Sequence, residues 1–130
     1  MSTMTLIAKS LWAGTPVLGG AVLTSAAVDV GSADVVEALR LRVSSVVGVA
    51  SAKVQYQTSQ DNVHWDVASD NADIVTSTLL AKAGNPEGFN SYPLPAPLAR
   101  YMRIVLTEIS AAVLADTLVD GALLLRQGLS

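Results

Sequence analysis

The segment Lys53-Val-Gln-Tyr-Gln-Thr-Ser-Gln-Asp-Asn-Val-His-Trp65 decides how this chain is read. Val54 and Tyr56 alternate with Lys53, Gln55 and Gln57. That period of two fits a strand with one apolar face and does not fit a helix. Ser59 to Asn62 follows as a turn, because Asp and Asn side chains bond nearby backbone and tolerate turn geometry. Val63, Trp65 and Val67 restart the alternation around His64 and Asp66, so Trp65 is expected to open a further strand.

The same pattern recurs outward from this segment. In Ala99-Arg-Tyr-Met-Arg-Ile-Val-Leu106, Met102, Ile104 and Leu106 share one face, and Tyr101, Arg103 and Val105 share the other. Leu39, Leu41 and Val43 alternate with Arg40, Arg42 and Ser44 inside a predicted strand over 36–47. Further strands are expected over 21–30 and 118–127, and over 74–83 either a strand or a short helix. A short extended piece over 89–94 is barred from the centre of a sheet by Pro93, Pro95 and Pro97. Gly84 to Gly88 marks a turn. About seven to eight short strands at roughly 8–12-residue spacing read as an all-β, antiparallel sandwich or barrel. Residues 1–20 are expected to be an N-terminal arm or first strand, and 21–130 a single sandwich domain.

Composition adds a constraint. Charged residues make up 15% of the chain, against roughly 25% in ordinary soluble domains. Hydrophobic residues make up 51%, and with aromatics at 5% most of that is Ala, Val and Leu. A domain of 130 residues cannot hide so much apolar surface alone, so part of it is expected to face a partner. The net charge of −3 and the scattered Lys and Arg residues give no nucleic-acid footprint. With no cysteine there is neither a disulfide framework nor a thiolate metal site. Residues 10–28 are uncharged, but Gly14, Pro16, Gly19 and Gly20 break any helix there, so no membrane span is expected and the segment should stay in the chain.

Three elements carry a family resemblance: Tyr56-Gln-Thr-Ser59, Asp61-Asn-Val-His-Trp65 and Arg100-Tyr-Met-Arg-Ile104. Over roughly 36–127 they resemble the discoidin-like, or galactose-binding-like, jelly-roll fold. There, a Tyr-x-x-Ser strand leads through an Asp-Gly-x-x-Trp turn, and an Arg-Tyr-x-Arg strand follows near the C-terminus. Asn62 stands where glycine is common in that turn. The resemblance implies an antiparallel jelly roll with Val54, Tyr56, Trp65, Met102, Ile104 and Leu106 as scaffold. The small, cysteine-free, Ala/Val-rich chain also resembles virion proteins of tailed bacteriophages, capsid decoration (cement) proteins among them. Tail and baseplate modules share these elements.

The candidate site residues each have a plain structural reading beside the functional one. Trp65 could stack on a sugar but fits the core at a strand start. Trp12 is the better exposed aromatic, as ligand platform or as an anchor on a neighbouring subunit. His64 lacks a nucleophile context such as Gly-x-Ser-x-Gly and reads as a solvated strand-edge residue. Asp29, Asp34, Asp70 and Asp73 are the carboxylates for the structural calcium that the galactose-binding-like resemblance brings into view. They lack EF-hand spacing, and no cofactor is expected. Arg40, Arg42, Arg100 and Arg103 would form a basic patch if their strands are neighbours.

These readings converge on a non-enzymatic virion structural protein, assembled in the host cytoplasm. Its expected partners are the major capsid protein and copies of itself. The expected interface residues are Leu6, Ile7, Leu11 and Trp12 in the N-terminal segment, with Arg40, Arg42 and Arg103. The alternative is a carbohydrate-binding module of a phage tail, baseplate or adhesin, with a glycan as ligand.

Overall fold

The computed structural model describes residues 3–17, 20–31, 35–44, 49–66, 79–82, 90–94, 99–109 and 118–129. The described residues form nine strands: β1 (Thr3–Pro16), β2 (Val22–Thr24), β3 (Val28–Asp29), β4 (Val35–Ser44), β5 (Val49–Ser59), β6 (Leu79–Lys82), β7 (Asn90–Pro93), β8 (Tyr101–Glu108) and β9 (Leu118–Leu129). All pairings are antiparallel, and no helix occurs among the described residues.

One sheet has the order β1-β9-β4-β7; the other has β2-β8-β5-β6, with β3 also on β8. Since β2 and β3 both pair with β8, they act as two halves of one interrupted strand. Eight strands then fall into two four-stranded layers, with the chain crossing between layers at every step except β5 to β6, the arrangement of a jelly roll. The expected all-β antiparallel jelly roll is what the chain forms.

The interruption between β2 and β3 has a local cause. Ser25 N–H donates to the Ile104 carbonyl at 2.9 Å, and its hydroxyl oxygen accepts from Ile104 N–H at 2.9 Å. A side chain thus replaces one rung of the ladder, so β8 keeps its backbone partner while the chain bends.

Alternation decides the core. Leu39, Leu41, Val119, Leu123 and Leu125 point inward from the first sheet, and Val28, Ala52, Val54, Met102, Ile104 and Leu106 from the second. Tyr56 packs against this cluster half-buried. Each fully buried aliphatic side chain contributes about 1.5–3 kcal/mol through removal from water.

Residues 3–16, which could have been an arm, are built into the sheet as β1. They pair with β9 from Thr3↔Leu129 to Pro16↔Leu118. Register shifts fall between Ser10 and Trp12 and between Trp12 and Thr15, and Gly14 takes a φ of 59°. The bulge turns Trp12 into the core, where it is 6% exposed. Gly121 makes room for it: a Cβ there would lie 3.1 Å from Trp12 Cε3 and 3.2 Å from Leu41 Cδ1. Trp12 is therefore not an exposed ligand platform or an anchor for a neighbour; its own chain buries it.

A second correction concerns Trp65. Residues 60–64 form bends and 65–66 are in no strand, and Val63 is 70% exposed. Trp65 is half-buried and lies outside the core cluster. The expected element over 74–83 is represented among the described residues by β6.

Candidate interaction surface

The outer face of the β1-β9-β4-β7 sheet follows from register. The row Ala8–Leu124–Ala38–Pro93 runs across all four strands, and Ser10–Ala122–Arg40–Ser91 lies beside it. Leu6, 55% exposed, stands opposite Arg126 at the β1 side. The centre is an apolar band of Ala, Leu and Pro, bordered by Arg40, Arg42 and Arg126. β9 supplies the band because its inward positions hold Val119, Gly121, Leu123 and Leu125, which leaves Ala122 and Leu124 outward.

Asp120 ties this face together. Its Oδ1 accepts from Gly14 N–H at 2.8 Å, and its Oδ2 pairs with Arg42 Nη2 at 3.0 Å. One carboxylate on β9 thus clamps the β1 bulge and β4 at once. Of the interface residues expected from sequence, Leu6, Arg40 and Arg42 share this face. Ile7 and Leu11 are half-buried, Leu11 packing against the core. Arg103 lies on the opposite sheet. The band itself, Ala38, Ala122 and Leu124, was missed; its signal was the apolar residues at the outward positions 118, 122 and 124, interrupted only by Asp120.

The outer face of the second sheet is organised around arginine. Arg103 Nε donates to Gln57 Oε1 at 2.7 Å, and its guanidinium lies 4.2 Å from the Trp65 ring centroid. Gln57 Nε2 donates to the Asp66 carbonyl at 2.9 Å, and Thr58 Oγ1 donates to Asp66 Oδ2 at 2.8 Å. Arg100 lies 5.2 Å from the Tyr101 ring centroid and pairs with Asp29 Oδ2 through Nη2 at 3.1 Å. That contact holds the Asp29 carboxyl below its ordinary pKa, helped by Gly31 N–H. Of the four carboxylates considered for calcium, Asp29 is thus engaged by Arg100, and Asp34, Asp70 and Asp73 lie outside the described residues. Among the described residues no three His, Cys, Asp or Glu side chains gather as a metal site. No helix among them is long and apolar enough to cross a membrane.

The turn after β5 places Ser59, Asp61 and His64 together, the residue types of a hydrolytic triad. Their geometry is that of a turn. Ser59 Oγ accepts from the N–H groups of Asp61 and Asn62 and donates to the His64 carbonyl, not to its imidazole. Asp61 Oδ1 accepts from Val63 and His64 N–H at 2.9 and 2.8 Å, and His64 Nδ1 lies 2.7 Å from Asp61 Oδ2. The hydrogen bond from His64 pushes the Asp61 carboxyl far below the usual range, and the same contact raises His64 above 6.5. Asn62 takes a φ of 62°, the left-handed geometry in which Asn substitutes for glycine. His64 therefore sits at an exposed turn paired with Asp61, not at a strand edge. Compared with known proteins, the chain matches no family model and no curated protein.

Proposed function

We propose that this chain is a non-enzymatic assembly subunit that coats a larger particle, in the manner of a capsid decoration (cement) protein of a phage-like shell. The observation that carries the reading is the apolar band Ala8–Leu124–Ala38–Pro93 on the outer face of a four-stranded sheet, bordered by arginines. A surface of this kind fits a partner that is apolar at its centre, the role assigned here to the major capsid protein. Low charge and abundant Ala, Val and Leu support it, as does the resemblance of this small cysteine-free chain, with its Ser59–Trp65 and Ala99–Arg103 elements, to virion proteins of tailed bacteriophages. Many copies on a shell turn modest single contacts into tight coating.

The alternative, a carbohydrate-binding module, needs an open aromatic face. Trp65 and Tyr101 each carry an arginine over the ring, and Trp12 is buried. It is the weaker reading. The test is the protein inventory of purified particles from the source of this chain. The reading expects the chain in many copies on the shell. Its absence from every particle, with the chain free in solution, overturns the reading.

A further inference from the structure

The two sheets treat their edges unequally. β7 and β6 are edge strands of four residues each, and β7 ends in Pro93. The edge formed by β2 and β3 is made of pieces of three and two residues. Shortness, proline, interruption and edge charge, lysine above all, are the usual protections against unwanted pairing. Over its first half β1 carries only the last of these, as the single Lys9 opposite the inward Leu123. It is 14 residues long, and from Thr3 to Ser10 it runs in unbroken register with β9. No strand among the described residues lies on its other side. Leu6, Ala8, Lys9 and Ser10 are exposed, and Lys9 is the one charge in the run. The bulges that blunt an edge begin only after Ser10.

We propose that Thr3–Lys9 is the contact between two copies of this chain, paired antiparallel β1 to β1 about a two-fold axis at Leu6. An open edge presents alternating N–H and C=O groups, a template that another extended backbone matches group for group. The same segment of a second copy is a rigid, low-charge partner already held extended by its own β9. A two-fold axis perpendicular to the sheet keeps inward residues inward only when paired positions differ by an even number. Centring it on Leu6 sets the exposed Leu6 against its symmetry mate. Lys9 then falls opposite Thr3 rather than opposite another lysine, so no like charges meet. The dimer joins two four-stranded sheets into one of eight strands and doubles the apolar outer face. It deepens the assembly reading by naming the contact between copies. It is measured on the isolated chain, so failure to dimerise and failure to coat a particle are separate results.

The full chain should sediment as a dimer, and Leu6→Lys should convert it to a folded monomer with unchanged circular dichroism. Ala8→Lys is the second variant should Leu6→Lys fold poorly. The chain has no native cysteine, so Leu6→Cys reports register directly. Oxidation should give a disulfide-linked dimer, because facing residues of an antiparallel pair sit within disulfide reach. A wild-type chain that stays monomeric at all concentrations overturns the proposal. So does a dimer that survives both lysine variants and leaves Leu6→Cys uncrosslinked.

Discussion

Arg103 stacks its guanidinium 4.2 Å from the centroid of the Trp65 ring while Gln57 holds its Nε at 2.7 Å. The arginine is fixed by one neutral partner and one aromatic face, and it covers the ring it rests on. Arg103→Ala should therefore increase quenching of tryptophan fluorescence by acrylamide, since Trp12 stays buried in either case. The stability cost should be about 0.5–1 kcal/mol, the range for an exposed cation–π contact. Unchanged quenching would mean that Trp65 is shielded by something else.

Trp12 and Gly121 should behave as a packed pair. Trp12→Ala should cost about 3–5 kcal/mol in denaturant unfolding, as for other large aromatic truncations in a core. Gly121→Ala should cost about 1–3 kcal/mol, because its Cβ would press on Trp12 and Leu41. A Trp12→Ala protein of wild-type stability would place the indole outside the core.

How far the sequence carried this architecture can be judged from those residues. Strict alternation in 39–43, 53–57 and 101–106 made the central strands legible, because a period of two leaves one geometry. Trp12 was misread because its segment is uncharged, glycine-broken and without clear alternation. The bulge at Ser10–Thr15 that swings it inward depends on a register with β9, more than a hundred residues away. Trp65 was misread for the opposite reason: alternation of Val63 and Trp65 mimics a strand, yet Asp61 and Ser59 hold that stretch as a turn. The outward apolar band required knowing which strands are neighbours, which no local pattern states.

Ser25 should matter more than a surface serine. Its hydroxyl satisfies the buried N–H of Ile104, so Ser25→Ala leaves that donor without a partner. The expected loss is about 1–3 kcal/mol, measured by chemical unfolding. Ser25→Thr, which keeps the hydroxyl, should lose less.

The Asp61–His64 pair gives a signed pH dependence. His64 is raised above 6.5 by its hydrogen bond to Asp61, so its contribution to stability is complete below 6.5 and fades as pH rises through the raised value. Asp61 is depressed, so its contribution is lost only as the solution becomes strongly acidic. Both groups are exposed, and the effect is on the turn rather than on global folding. Proton NMR of the single imidazole should show a titration above 6.5 that Asp61→Asn returns toward 6.5. A titration at or below 6.5 in the wild-type chain would contradict the pairing.

The most direct test of the assembly account is binding of a single face variant to purified particles. Deleting residues 1–20 cannot serve, because it removes β1 and Trp12 with it. Leu124→Glu places a charge at the centre of the outer band while leaving the inward residues of β9 untouched, with Ala122→Glu as its companion. Co-sedimentation should show the wild-type chain bound and both variants free, at unchanged melting temperature. Full coating by either folded variant would contradict docking through the β1-β9-β4-β7 face.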